Sequence, residues 1–209
     1  PPRSTLFPYT TLFRSIYGET GFLEVKENHS PLLPISTYGA SKLAGEALIC
    51  SYCHMFDIIG RAYRFANVVG PNQTHGVAYD FIRKLKENPS HLVVMGDGTQ
   101  SKSYIYIEDI IDAILISEKK SQSTFDYFNI ATGDYITVTE IAEIVIQEMG
   151  LNNVKIEYSG GDRGWKGDVP VVRFNLEKIK SYGWKSKLNS FEAIRKSVRE
   201  MINLKDRTG

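Results

Sequence analysis

A tyrosine and a lysine four residues apart, Tyr38 and Lys42, are the residues of this chain best suited to chemistry. Apolar residues follow them with helical period, and Ser36 or Thr37 can cap a first turn. We therefore predict a helix that begins here and places both side chains on one face. A free phenol has a pKa of about 10 and is a poor base at neutral pH. Because a nearby ammonium and the positive end of a helix both favour the phenolate, the pair predicts a tyrosine that accepts protons.

The spacing alone is weak support, because chance places such a pair in a chain that is rich in tyrosine and lysine. The context of residues 34–46 is more specific, since several other stretches match one family in order. These stretches are 15–19, 64–71, 96–100, 104–109 and 127–130. From about Ile16 to its end, the chain resembles the extended short-chain dehydrogenases, the NAD-dependent epimerase/dehydratase family, and in particular its UDP-glucose 4-epimerase-like members.

The resemblance implies an α/β fold: the C-terminal part of a doubly wound Rossmann-type parallel sheet plus a smaller α/β substrate-binding domain. Alternating strand and helix patterns independently favour an α/β protein. We predict a partial NAD-binding domain with the catalytic helix at 16–72 and 104–132. We predict a nucleotide-sugar-binding domain at 73–103 and 133–209.

The resemblance also implies roles for individual residues, NAD as the cofactor and a nucleotide sugar, such as a UDP-hexose, as the substrate. The catalytic residues would be Tyr38 and Lys42, which would also contact NAD together with Phe65. The substrate contacts would be Asn67, Lys102, Arg163 and Asp168. The family often has arginine at the position of Lys102, and lysine keeps the charge but loses the bidentate fork. Family members imply a homodimer of the full-length protein through the Tyr38 helix and the helix that follows it.

The implied reaction is epimerisation through a transient 4-keto sugar, in which Tyr38 takes the proton of the sugar 4-hydroxyl as hydride passes to NAD. Two alternatives stay open: a 4,6-dehydratase or reductase of the same family, and a non-catalytic nucleotide-sugar-binding protein. The family has a catalytic serine or threonine four residues before the position of Tyr17. This chain has Phe13 there, and Ser15 is not the matching residue. We therefore expect this chain itself to be inactive and to bind NAD poorly.

Residues 1–15 differ from the rest of the chain. They show no strand or helix pattern that leads into Ile16, and residues 5–7 recur as residues 11–13. These features favour a non-native leader, an artefact of sequencing, over a genuine leader. The glycine-rich turn that holds the NAD pyrophosphate in the family lies upstream of this point.

Composition excludes several other classes of protein. Apolar residues make up 42% and charged residues 23% of the 209 residues, which is ordinary for a globular protein. A net charge of +1 gives no reason to expect a nucleic-acid or membrane partner. The two cysteines are too few for a disulfide framework, and no apolar run is long enough to span a bilayer. We expect a cytoplasmic enzyme.

Some local predictions concern single segments. Residues 20–33 are expected to form a loop and residues 67–73 a turn. Thr137 and Glu140 predict a capping box, and Asp109 is expected to cap its helix.

Two spacings resemble cofactor motifs but are better explained otherwise. The glycines of residues 161–167 have the spacing of a dinucleotide fingerprint, yet Pro170 and β-branched residues follow where a helix should start. Residues 50–54 have the spacing of a haem attachment site but lie inside the predicted Tyr38 helix. We predict no metal site.

Overall fold

The computed structural model describes residues 11–21, 23–161 and 172–205, in which short strands alternate with helices. The strands are β1 (Thr11–Phe13), β2 (Glu24–Val25), β3 (Gly60–Phe65), β4 (Asn67–Val69), β5 (His91–Val94), β6 (Ser101–Lys102), β7 (Tyr104–Tyr106), β8 (Phe125–Ile130), β9 (Ile136–Thr137), β10 (Lys155–Tyr158) and β11 (Arg173–Phe174). The helices are α1 (Thr37–Phe56), α2 (Val77–Glu87), α3 (Ile107–Lys120), α4 (Val138–Glu148), α5 (Glu177–Ser181) and α6 (Ser190–Lys205). The predicted α/β class is confirmed.

The largest sheet in the described part of the chain is parallel and has the order β1-β3-β8. All the residues of the central strand β3 are buried, as expected for a strand of a parallel sheet that is covered on both faces. The carboxyl ends of parallel strands meet at one edge, so Phe65 of β3 and Ile130 of β8 are register partners at that edge. Open α/β sheets bind their ligands at this edge.

The buried apolar side chains form two clusters. The first surrounds β3 and β8 and includes Phe65, Phe128 and Trp184. The second joins the buried faces of α2, α4 and α6 to β5, which pairs in parallel with β10. The buried apolar residues between 172 and 184 pack in the first cluster, although the predicted boundary assigns them to the nucleotide-sugar-binding domain. The domain boundaries themselves remain a prediction.

Short strands account for the differences between the predicted and the observed elements. Residues 1–15 show no strand or helix pattern leading into Ile16 in the sequence, but Thr11–Phe13 form β1. The expected loop at 20–33 contains β2, and the expected turn at 67–73 begins with β4. Each of these strands is held by a partner distant in sequence, so a local pattern cannot reveal it.

The capping box that begins α4 is confirmed. The Thr137 hydroxyl accepts from the Glu140 backbone N–H at 3.2 Å, and the Glu140 carboxylate accepts from the Thr137 N–H at 2.7 Å. The prediction that Asp109 caps its helix is wrong. Its buried carboxylate instead accepts the backbone N–H groups of Lys187 and Leu188, at 3.1 and 3.3 Å. Asp109 therefore fastens α3 to the segment that precedes α6.

Residues 50–54 lie within α1, where Cys53 is buried and its sulfur packs directly on Gly60. Among residues 11–21, 23–161 and 172–205, no cluster of three or more His, Cys, Asp or Glu side chains is placed to hold a metal ion. In the same part of the chain, the helices are too short or too polar to cross a lipid bilayer.

Candidate active site

The predicted Tyr38–Lys42 pair forms at the start of α1. Ser36 is the N-cap, and its hydroxyl accepts from the Gly39 backbone N–H at 3.1 Å. The Lys42 ammonium lies over the Tyr38 ring, 5.4 Å from the ring centroid, and Tyr38 is 45% exposed. The two side chains therefore share one accessible face of the helix, as the spacing predicts.

The first turn of α1 packs against the segment that follows β1. A Cβ atom at Gly39 would lie 2.5 Å from the Ser15 carbonyl oxygen and 3.0 Å from Pro34 Cβ. Only glycine allows this approach, so the small residue next to Tyr38 sets how closely the start of α1 lies to the segment that follows β1.

The electrostatics of Tyr38 differ from the sequence-based expectation. Burial raises the pKa of the Tyr38 phenol above its ordinary value. A further positive charge beside the pair would favour the phenolate.

A buried ion pair beneath α1 was not predicted. Glu46 lies one turn beyond Lys42 on the same helix, and its carboxylate accepts from Arg64 Nε at 3.0 Å and from Nη2 at 2.5 Å. Arg64 Nη1 also donates to the Tyr17 hydroxyl at 2.6 Å and to the Glu27 carbonyl oxygen at 2.7 Å. Glu46 follows Tyr38 and Lys42 at the same interval of four residues, and this is the sequence signal that could have identified it as a further residue on that side of the helix.

A cavity of about 670 Å³ lies beside the carboxyl end of β3. Three of the predicted site residues, Phe65, Asn67 and Lys102, line it. Asn67 Nδ2 donates to the Ser103 carbonyl oxygen at 3.0 Å, which leaves the Asn67 side-chain oxygen as the acceptor. Tyr38 and Lys42 are not among its lining residues. Arg163 and Asp168 lie outside the described residues.

The start of α2 brings charges of both signs to the cavity. Gly76 and Val77 line it, no side chain caps this helix, and the N–H groups of its first turn carry partial positive charge. The carboxylate of Asp80, in the same turn, also lines the cavity but is paired with Arg83 and Lys84. Because its charge is balanced by these partners, the N–H groups and the Lys102 ammonium, which lines the same cavity, can receive an anionic group such as a diphosphate.

Comparisons with known proteins give a consistent picture. The family model described as "NAD dependent epimerase/dehydratase family" matches residues 10–131. A Methanocaldococcus jannaschii protein named "Putative UDP-glucose 4-epimerase" is 33% identical over 193 residues, which are 90% of this chain and 60% of the relative. Human dTDP-D-glucose 4,6-dehydratase is 29% identical over 188 residues, which are 88% of this chain and 53% of the relative.

Solved structures support the same fold. A crystal structure of UDP-galactose 4-epimerase superposes with a TM-score of 0.81 at 33% identity, covering 93% of this chain and 62% of the other. The chain thus spans less than two thirds of the length of each of these proteins.

Proposed function

Because the chain belongs to the NAD dependent epimerase/dehydratase family, we propose that the protein is a nucleotide-sugar epimerase resembling UDP-glucose 4-epimerases. The observation that carries the proposal is the Tyr38–Lys42 pair, with the ammonium 5.4 Å from the ring centroid on an accessible helix face. The identity of 33% to two proteins whose names contain 4-epimerase supports the proposal.

In the proposed reaction, Tyr38 takes the proton of the sugar 4-hydroxyl and later returns it to the epimerised hydroxyl. NAD, when bound, would supply the hydride acceptor and donor for C4 of the sugar. Lys42 would stabilise the phenolate and donate hydrogen bonds to ribose hydroxyls of the cofactor. The positive charge of the oxidised nicotinamide would add the stabilisation that Tyr38 needs to act near neutral pH.

The described residues fit one end of NAD better than the other. Lys42 supplies hydroxyl-binding donors beside Tyr38, and Phe65 offers an apolar surface at the end of β3. Within 11–21, 23–161 and 172–205, however, no strand leads through a Gly-x-Gly-x-x-Gly turn into a helix, which is the arrangement that holds the pyrophosphate. We therefore expect this chain to bind NAD weakly.

The cavity is the proposed site of the nucleotide sugar, a UDP-hexose. The start of α2 and Lys102 would hold the diphosphate, and the Asn67 side-chain oxygen would accept from a substrate hydroxyl. Arg163 and Asp168 remain part of this proposal as further substrate contacts. Phe13 cannot share the substrate proton as a hydroxyl would, so this chain itself is proposed to be inactive. A cytoplasmic location also remains part of the proposal.

The exposed apolar face of α1 is the proposed surface of a homodimer. Leu48, Tyr52, Met55 and Phe56 are 60%, 57%, 70% and 57% exposed, although large apolar side chains are usually covered. We expect the full-length protein to sediment as a dimer. A monomer at micromolar concentration would contradict this part of the proposal.

The experiment that tests the function uses a gene completed with the N-terminal part of a 4-epimerase relative and with serine at position 13. A UDP-hexose epimer is the expected product, whereas a 4-keto-6-deoxy sugar would favour the dehydratase alternative, which the human relative supports. Tyr38→Phe should abolish turnover and keep substrate affinity. Tyr158→Phe, at an exposed tyrosine of β10 that lies outside both the reactive pair and the proposed dimer surface, is the matched control. A completed protein that binds UDP-hexoses without any turnover would favour the non-catalytic binding protein.

A further inference from the structure

Asn67 is held by one peptide group of the neighbouring strand, the group that joins residues 103 and 104. Asn67 lies in β4 opposite Tyr104 of β7. Its backbone N–H and its side-chain Nδ2 both donate to the Ser103 carbonyl oxygen, at 3.1 and 3.0 Å. The Asn67 side chain is only partly buried and lines the cavity. Because its nitrogen is bound to Ser103, the direction of its oxygen depends on how the 103–104 peptide group is placed.

Ser190 holds the other side of the same peptide group. The Tyr104 N–H donates to Ser190 Oγ at 3.0 Å, and Ser190 is completely buried. A peptide group is planar, so its C=O and its N–H, which point in opposite directions, move together as one rigid unit. A change at Ser190 therefore reaches the carbonyl oxygen that binds Asn67.

Helix capping does not account for the Ser190 hydroxyl. Serine near the start of a helix usually serves as the N-cap, and Ser190 is the first residue of α6. Asn189 has that role instead. Its Oδ1 accepts from the Glu192 N–H at 2.8 Å, and the Glu192 carboxylate accepts from the Asn189 N–H at 2.9 Å. The Ser190 hydroxyl is thus engaged elsewhere, on Tyr104 and on the groups that surround it.

The hydroxyl groups around Ser190 form a chain with one direction. Ser190 Oγ lies 3.1 Å from Asp134 Oδ1 and 3.3 Å from the Asp134 carbonyl oxygen. Both of these oxygens can only accept, so the Ser190 hydroxyl donates to Asp134. Thr132 then donates to Ser190 Oγ at 3.0 Å, and the Ser103 hydroxyl donates to Thr132 Oγ1 at 2.9 Å. Thr132 thereby connects the residues on the two sides of the 103–104 peptide group.

We propose that Ser190 and Thr132 are positioning residues: by fixing the 103–104 peptide group they hold the Asn67 side chain in the orientation in which its oxygen accepts from the substrate. The inference rests on the proposed function. Ser190 and Thr132 are not among the lining residues of the cavity, so they act on a bound nucleotide sugar through Asn67 rather than by direct contact. Bonds in such a chain also polarise one another, which strengthens the hold on the peptide group.

The test measures binding of UDP-glucose to the 209-residue chain by titration calorimetry. Asn67→Ala removes the acceptor and should weaken binding by about 3- to 10-fold, the effect of one neutral hydrogen bond. Ser190→Ala removes the hydroxyl that holds the 103–104 peptide group and should weaken binding by a factor in the same range. Ser117→Ala is the matched control, because it removes an equally buried serine hydroxyl from α3 and should leave binding unchanged.

A double-mutant cycle separates positioning from other effects of the substitution. If Ser190 acts through Asn67, the double variant Asn67→Ala/Ser190→Ala should bind UDP-glucose no more weakly than Asn67→Ala alone. Losses that add up in the double variant would overturn the inference. Binding equal to wild type in either single variant would overturn it as well.

Thr132 provides a second test that leaves the Ser190 hydroxyl in place. Thr132→Val keeps the shape of the side chain but removes the donor to Ser190. It should weaken UDP-glucose binding by up to the factor found for Ser190→Ala, and it should have no effect in the Asn67→Ala background. Thr132→Ser keeps the hydroxyl and should bind as wild type does. Equal binding by Thr132→Val and Thr132→Ser would overturn the inference.

The NMR signals of the Asn67 side-chain amide report its orientation without any ligand, and they can be identified by their loss in Asn67→Ala. Ser190→Ala should shift these signals, whereas Ser117→Ala should not, although both variants lose a buried hydrogen bond. Unmoved signals in Ser190→Ala would overturn the inference and leave the proposed function intact. A wild-type chain that binds neither UDP nor UDP-glucose would contradict the proposed function, and the inference would fall with it.

Discussion

Replacing Glu46 by glutamine removes the negative partner of Arg64 beneath α1. The Arg64 side chain is 2% exposed and that of Glu46 is 10% exposed, so the lost charge cannot be replaced by water without opening the structure. Burial lowers the pKa of Arg64, but the bonds with Glu46 and Tyr17 more than offset it, so the guanidinium stays charged. The variant therefore contains a buried cation whose counter-ion is missing.

The expected loss can be estimated from the contacts. Breaking a buried ion pair by removing one partner destabilises a protein by about 3–5 kcal/mol. Arg64 keeps its bonds to Tyr17 and to the Glu27 carbonyl, and glutamine can still accept one bond, so we expect the lower end of this range. A loss of about 3 kcal/mol is a large part of the roughly 5–15 kcal/mol that stabilises an ordinary domain.

Urea unfolding followed by circular dichroism measures the effect. Glu87→Gln is the matched control, because Glu87 pairs with Arg83 on the surface of α2, where the side chains are 65% and 50% exposed. The control should lose less than about 1 kcal/mol. Replacing Glu46 and Arg64 together by methionine should restore part of the stability, since neither member of the pair is then left as an unpaired buried charge. If Glu46→Gln loses no more than the control, the reasoning about the buried pair is wrong.

The remaining predictions concern pH. Burial raises the pKa of Tyr17 to about 12, with Arg64 offsetting part of the effect, so the folded state favours the neutral phenol. The neutral Tyr17 phenol should contribute about 2–3 kcal/mol to the free energy of unfolding, completely below about pH 10 and less and less towards pH 12. Tyr17→Phe should flatten that part of a plot of the urea midpoint against pH. Burial pushes the pKa of Asp126 upwards, but bonds from Lys178 and Ser121 hold it below its ordinary value. That stabilisation of the folded state should be present above the ordinary aspartate pKa of about 4 and lost as the pH falls through the lower pKa that Asp126 has in the folded state. Asp126→Asn should remove this dependence of stability on acid. A variant that reproduces the wild-type curve would refute the contribution assigned to its residue.

Local signals explain what the sequence could predict. The start of α1 depends on Ser36 and on the four-residue spacing of Tyr38 and Lys42, all within two helical turns. The capping box of α4 is equally local. Phe65, Asn67 and Lys102 were placed by resemblance rather than by pattern, and they meet in one cavity although they come from different strands. Their roles stay predictions.

Long-range pairing explains what the sequence could not predict. Arg64 reaches Glu46, Tyr17 and the Glu27 carbonyl across separations of 18, 47 and 37 residues, and no periodicity joins such distant positions. β1 exists through its pairing with β3.

The end of β3 links the reactive pair to the cavity. Successive residues of a strand point to opposite faces. Arg64 accordingly binds Glu46 of α1, while its neighbour Phe65 lines the cavity, and Asn67 follows two residues later. The bidentate contact to Glu46 fixes the rotation of the helix that carries Tyr38 and Lys42, because all three side chains repeat at intervals of four. The same short segment thus sets the face of α1 that carries Tyr38 and Lys42 and one wall of the proposed substrate site, so a loss of the Arg64 pair should disturb the alignment between them as well as the stability of the fold.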